Sequence, residues 1–125
     1  MNRSEALIAL NMTAHVGSVR LSRLLEHFGS PEEILKANFE DLVSVEGIGK
    51  AAAASIAGFD LKALLEETNR AKSFGIEIIT FEDPDYPRQL KTIPDFPIGL
   101  YIPGKISEAN DRAVAVVGSR RASLY

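Results

Sequence analysis

The hydrophobic positions in the first half of the chain follow the period of an α-helix. Val19, Leu21, Leu24, Leu25 and Phe28 are spaced close to i, i+3, i+4, i+7, which predicts one buried helix face. Residues typical of helix ends divide this half into short segments. We expect helices over residues 5–10, 19–28, from 31 onward, 39–44, 50–57 and 61–73. The expected N-caps are Ser4, Ser30, Asn38 and Asp60, and the expected terminators are Gly29, Gly58 and Gly75.

From Gly75 onward the composition favours β-strands. Residues 76–81 and 98–102 are short runs of β-branched and other apolar side chains. A third run, residues 113–117, is wholly apolar and is typical of a buried strand in a parallel sheet. Three strands leading into a helix predict the beginning of an α/β domain.

These patterns divide the chain into two domains. We predict a small all-α domain at residues 1–72 and the first strands of an incomplete α/β domain at residues 73–125, which makes the fold multidomain and α+β in class. The helical part has its own apolar residues and its own caps, so we expect it to fold independently.

The charge and composition indicate a soluble globular protein. The 125 residues are 46% hydrophobic and 25% charged, and the net charge is −3. A net negative chain does not coat nucleic acid through a generally basic surface, so any contact with a polyanion must come from particular loops. We expect no membrane span, because no apolar stretch approaches the roughly 20 residues that cross a bilayer.

The titratable residues do not indicate catalysis or metal binding. The chain has no cysteine, and His15 and His27 fall in a helical region without further metal ligands close in sequence. Asp83 and Asp85 lie in a proline-punctuated segment, where Asp side chains stabilise a rigid turn. Ser119 has no histidine near it in sequence and therefore no evident triad. We expect no catalytic residue, no metal site and no cofactor.

Residues 42–56 have the form helix, Gly-Ile-Gly turn, helix and resemble a helix-hairpin-helix element. Gly47 and Gly49 let two helices cross closely, and the N–H groups that begin the second helix can face a phosphate. Residues 16–30 resemble the partner hairpin of a tandem pair, but they keep only one of its glycines.

Two interpretations of this hairpin stay open. Lys50 is the only cation expected near it, and the carboxylate of Glu46 would repel an anion there. The element is therefore either a packing or protein-contact module or a secondary DNA contact made through Gly47, Gly49 and Lys50.

The end of the third predicted strand carries the main candidate binding site. Gly118, Ser119, Arg120 and Arg121 follow the apolar run directly, at the edge of the sheet where α/β folds bind ligands. Glycine permits close approach of a phosphate, the serine hydroxyl can donate a hydrogen bond, and Arg120 can hold two oxygens at once. Phosphate contacts of this kind give affinity without sequence selectivity.

Taken together, these segments resemble the amino-terminal portion of the DprA (Smf) family of bacterial DNA-processing proteins. The resemblance is carried by the hairpin helices and by residues 78–90, 97–104 and 114–123, and it covers essentially the whole chain. Its most specific parts are the Asp-Tyr-Pro step that ends at Pro87 and the Val-Gly-Ser-Arg turn that ends at Arg120.

The resemblance implies both a fold and a function. The fold is a small helix-hairpin-helix (SAM-like) domain followed by the beginning of an extended Rossmann-like domain. The implied function is non-enzymatic: the family binds single-stranded DNA in the cytoplasm and helps load a RecA-type recombinase during natural transformation. The family's pocket turn corresponds to Gly118, Ser119 and Arg120, with Arg121 adjacent. A homodimer is expected only for the full-length protein.

Two other classes of function stay open. Related Rossmann-like folds bind nucleotides, and a phosphoribohydrolase-like enzyme of this kind would need a carboxylate pair and a second glycine-rich loop. An adaptor would instead dock a partner protein through the helical domain, and it would keep its function when Arg120 is replaced.

Overall fold

Six helices and two strands follow one another along residues 1–103, which are the residues that this computed structural model describes. The elements are α1 (Arg3–Met12), α2 (Ser18–Phe28), α3 (Pro31–Lys36), α4 (Phe39–Val43), α5 (Lys50–Ala57), α6 (Leu61–Ser73), β1 (Ile76–Thr80), a 3-10 turn (Arg88–Thr92) and β2 (Gly99–Pro103). The third predicted strand, residues 113–117, lies outside the described residues.

Most of the predicted helix caps are confirmed. Ser30, Asn38 and Asp60 each accept a hydrogen bond from a backbone N–H of the following first turn, at 3.2, 2.8 and 3.0 Å. Gly29 ends α2 in the left-handed conformation, at φ +91°. These local side-chain and backbone contacts explain why the helices stop and start where the sequence predicts.

The prediction of Ser4 as the first N-cap is wrong. Asn2 Oδ1 accepts a hydrogen bond from Glu5 N at 2.8 Å, and Glu5 Oε1 accepts one from Asn2 N at 3.0 Å. This reciprocal capping box satisfies two backbone N–H groups, whereas a serine cap alone satisfies one. Helix α1 therefore begins at Arg3, ahead of its predicted start.

The helices share one apolar core. Its largest buried side chains include Leu7, Leu10, Leu21, Leu24, Ile34, Leu42, Ile48 and Ile56. Val19 was expected on the buried face of α2, but its surface is 51% exposed. Two residues along an α-helix rotate the side chain by about 200°, so Val19 faces away from Leu21 and the buried stripe.

The two strands pair antiparallel and pack directly on the helices. Ile78 of β1 is opposite Tyr101 of β2, and its side chain contacts the cluster that contains Ile8 and Leu64. Ile98, just before β2, is buried in the main helical core. The described residues thus form a helical region with a small two-stranded sheet. The domain boundary after residue 72 and the Rossmann-like continuation of the sheet stay predictions.

The long loop between the strands is fixed at both ends. Arg3 donates two hydrogen bonds to the Glu82 carboxylate, at 2.7 and 2.8 Å, and these bonds lower the pKa of Glu82. The buried Tyr86 donates from its hydroxyl to Pro97 O at 2.7 Å. Asp83 Oδ1 accepts a hydrogen bond from Asp85 N at 3.0 Å, which confirms the predicted turn.

High pH should weaken the fold through Tyr86. Burial raises the pKa of Tyr86 from 10.0 to about 12, because the phenolate is poorly solvated there. The neutral phenol therefore contributes stability that is fully present below pH 10 and is lost as the pH rises through about 12. At neutral pH we expect the free energy of unfolding of the wild type to be about 1 kcal/mol larger than that of Tyr86→Phe, because the variant lacks the hydroxyl hydrogen bond. Urea unfolding of both proteins across this range should show that difference shrinking. A constant difference would contradict the assignment.

Candidate nucleic-acid interface

The loop between α4 and α5, residues 44–49, forms a tight turn that we call hairpin 2. Gly47 has φ +89°, in the left-handed region that glycine adopts without steric cost. Ile48 is buried and anchors the turn in the core, whereas Gly47, Gly49 and Lys50 are exposed. The predicted secondary contact residues therefore lie together on one exposed turn.

The loop between α1 and α2, residues 13–17, repeats this geometry, and we call it hairpin 1. His15 has φ +69° and lies two residues before Gly17, the N-cap of α2. Gly47 lies likewise two residues before Gly49, the N-cap of α5. His15 therefore stands where hairpin 2 has its first glycine. A non-glycine residue pays a steric cost in this conformation, so the first hairpin keeps its shape with only one of the two glycines.

Two arginines of α2 reach hairpin 2. Arg20 donates from Nε to Gly47 O at 3.3 Å and from Nη1 to His15 O at 2.8 Å, so one guanidinium joins the two hairpins. Arg23 donates from Nη1 to Glu46 O at 3.4 Å. These contacts place both guanidinium groups beside the turn. Because the acceptors are neutral backbone carbonyl groups, the contacts do not neutralise the positive charges.

The surroundings of hairpin 2 are consequently cationic, in spite of Glu46. The expectation that Lys50 is the only nearby cation is wrong, because Arg20 and Arg23 lie 27 and 23 residues upstream of their partners and arrive only through the fold. The Glu46 side chain is 94% exposed, and its Oε1 lies 4.0 Å from Arg23 Nη1. Water screens a pair at that exposure and distance, so the carboxylate is only weakly held.

The first turn of α5 is open to a ligand. Gly49 provides no side-chain cap, and a Cβ added to it would meet no heavy atom within 4 Å. Backbone N–H groups at a helix N-terminus carry partial positive charge and bind anions. Together with the neighbouring cations, this turn has the chemistry to hold a phosphate.

Gly118, Ser119, Arg120 and Arg121 lie outside the described residues. Within residues 1–103, no group of three or more His, Asp or Glu side chains is placed to hold a metal ion. No helix in that part of the chain is long and apolar enough to cross a membrane.

Comparison with known proteins finds two family matches along the chain. Residues 7–66 match the helix-hairpin-helix motif, and residues 77–125 match the family described as DNA recombination-mediator protein A. The protein Smf of Synechocystis sp. is 34% identical over 121 residues, which is 90% of this chain and 30% of that protein.

Shorter matches connect the chain to two other groups of proteins. A DNA ligase of Chlamydia trachomatis is 36% identical over 78 residues, which is 61% of this chain and 12% of the ligase. The UvrABC system protein C of Salinispora arenicola is 38% identical over 64 residues, which is 51% of this chain and 9% of that protein. The chain thus spans less than a third of the length of these relatives. No solved structure matches it.

The two glycines of hairpin 2 should respond differently to alanine. Gly47→Ala places a Cβ at φ +89° and 3.0 Å from Arg23 Cδ, so we expect the free energy of unfolding to fall by about 1–2 kcal/mol. Gly49→Ala keeps an extended backbone and enters open space, so it should lose only about 0.5–1 kcal/mol, which is the cost of alanine in place of glycine at an N-cap. Urea unfolding followed by circular dichroism measures both. Equal losses would contradict the geometry of the turn.

Proposed function

Because the chain belongs to the DNA recombination-mediator protein A (DprA/Smf) family, we propose that it binds single-stranded DNA through the phosphate backbone. The family acts in DNA recombination and processing. In the proposed role, the full-length protein binds incoming DNA in the cytoplasm during natural transformation and helps load a RecA-type recombinase on it. We propose no catalytic reaction for this protein.

The cationic surface at hairpin 2 is the observation that supports this proposal among the described residues. A chain with net charge −3 nevertheless brings Arg20, Arg23 and Lys50 to one exposed turn. The turn also presents the open N-terminus of α5 beside Gly49. Positive side chains and backbone N–H groups contact phosphate oxygens, which are the same at every nucleotide. Binding at this turn would therefore be independent of sequence.

We propose that hairpin 2 is the secondary contact and that Gly118, Ser119, Arg120 and Arg121 form the main one. The family match over residues 77–125 includes this turn. A small, cationic strand-end turn suits a phosphate for the reasons given from the sequence. Two separate contacts along one strand would add affinity without adding sequence selectivity.

An adaptor role is the second candidate, and the surface of α6 favours it. Leu61 and Leu65 lie four residues apart, on one helix face, and are 54% and 59% exposed. Exposed apolar side chains that adjoin each other are typical of surfaces that meet a partner protein. This role predicts that Leu61→Ser would leave DNA binding unchanged while weakening a protein contact.

Two substitutions at hairpin 2 should change DNA affinity in opposite directions: an added positive charge should strengthen binding, and an added methyl group should weaken it. Glu46→Lys replaces a carboxylate of this turn by a cation, so we expect roughly fivefold tighter binding of a fluorescein-labelled oligothymidylate at low salt. Gly49→Ala places a methyl group in the open space before α5 and should weaken binding. Fluorescence anisotropy measures both affinities.

The matched control for charge is Glu66→Lys, which makes the same substitution at an exposed position on α6. It should change the affinity much less than Glu46→Lys does. If the two lysine variants bind equally, the effect comes from net charge, and hairpin 2 is a packing or protein-contact element.

In the full-length protein, Arg120 should matter more for DNA binding than its neighbour Arg121. A charge-assisted contact is worth about 1.5–3 kcal/mol, so Arg120→Ala should weaken single-strand binding roughly 10- to 150-fold. The slope of log affinity against log salt should become shallower by about 0.7, for one lost phosphate contact. Arg121→Ala is the control and should lose less. An unchanged affinity for Arg120→Ala would contradict the assignment of the main site.

A further inference from the structure

A carboxylate from a distant part of the chain lies beside the N-terminus of α2. Asp95, in the loop that leads to β2, accepts a hydrogen bond at Oδ1 from the Ser18 hydroxyl at 3.1 Å, across 77 residues of sequence. Ser18 is buried, with 6% of its surface exposed. The carboxylate also crowds Gly17, because a Cβ added there would stand 2.9 Å from Asp95 Oδ1.

Hairpins 1 and 2 therefore differ beside the glycine that caps the helix after each of them. Gly17 and Gly49 are both N-caps without a side-chain cap, and each follows a positive-φ residue at the same spacing. Space is open beside Gly49, whereas the Asp95 carboxylate fills the space beside Gly17. Asp95 accepts its hydrogen bond from the Ser18 hydroxyl and not from a backbone N–H of α2. Its negative charge beside this helix end would nevertheless repel a phosphate.

We propose that Asp95 is a specificity-determining residue whose negative charge excludes a phosphate from hairpin 1 and so restricts backbone binding in the helical region to hairpin 2. This inference rests on the proposed function, because it concerns which hairpin meets the DNA. A side chain at position 17 would push this carboxylate aside, so the glycine leaves it room beside the helix end.

The neighbours of Asp95 hold it at this position. Pro94 and Phe96 flank it and line a groove with residues of α2, among them Leu25. The Phe96 ring packs against Phe81, with 5.3 Å between the ring centroids. Because Phe81 in turn packs on the main helical core, the loop is anchored independently of Asp95. Removal of the carboxylate alone should therefore free the helix end without detaching the loop.

Inorganic phosphate can be used as the probe, with the backbone amide signals of the ¹⁵N-labelled chain as the readout. In the wild type we expect phosphate to shift the amides of residues 50–52 and to leave those of residues 18–20 unchanged. In Asp95→Ala the amides of residues 18–20 should shift as well. The control is Asp85→Ala, which removes one carboxylate from another part of the same loop and should behave as the wild type does.

The outcomes separate this inference from the proposed function. Shifts at residues 50–52 in every protein, with none at residues 18–20 in Asp95→Ala, would overturn the role of Asp95 and leave hairpin 2 as the contact. Shifts at residues 18–20 in the wild type, or equally in Asp85→Ala, would also overturn it. An absence of shifts at residues 50–52 throughout would instead count against hairpin 2 and the proposed function.

A second variant keeps the test decisive if Asp95→Ala loses its fold. Asp95→Asn retains an oxygen that can accept the Ser18 hydrogen bond and removes only the charge. We expect it to bind labelled oligothymidylate roughly threefold more tightly than Asp85→Asn does. Equal affinities of the two asparagine variants would overturn the proposal.

Discussion

Both hairpins depend on one backbone constraint, a residue held at positive φ two positions before the N-cap of the next helix. His15 and Gly47 meet this constraint, at φ +69° and +89°. The reversal turns a buried or half-buried aliphatic residue, Val16 or Ile48, toward the core. It also turns the two carbonyl groups of His15 and Gly47 toward Arg20, which donates to both. The relative placement of the hairpins, and of the cations beside them, follows from this pair of turns.

The effect of a carboxylate near a hairpin depends on what holds it. Glu46 is beside hairpin 2, but its side chain is 94% exposed and meets only an arginine at 4.0 Å. Such a group can move aside at small cost when an anion arrives. Asp95 is exposed as well, but its Oδ1 accepts a hydrogen bond from the buried Ser18 hydroxyl, and the neighbouring Phe96 ring packs on Phe81. Two acidic residues that look equivalent in the sequence are therefore held differently beside the two helix ends.

Local features of the fold could be predicted from the sequence, and long-range ones could not. Ser30, Asn38, Asp60 and Gly29 act within one helical turn, so their residue types were sufficient to locate helix ends. The start of α1 was misplaced because two cap-type residues, Asn2 and Ser4, compete there and the reciprocal bond with Glu5 decides.

The candidate site shows the same division between local and distant signals. Gly47 and Gly49 were sufficient to identify hairpin 2 from the sequence. The family resemblance was confirmed by the matches over residues 7–66 and 77–125. No local pattern marks His15 as a positive-φ residue, because that conformation is uncommon outside glycine. Arg20 and Asp95 reach the hairpins from far along the chain, so their roles required the folded structure.

The contrast between Gly17 and Gly49 has a consequence for how this chain can vary over evolution. At position 17 a side chain would have to displace the Asp95 carboxylate, so selection for that contact favours the glycine. At position 49 the space is open, so the fold itself sets no steric limit on a small side chain there. Retention of glycine at 49 among descendants of this chain would thus record selection by a ligand, whereas retention at 17 would record selection for the contact with Asp95.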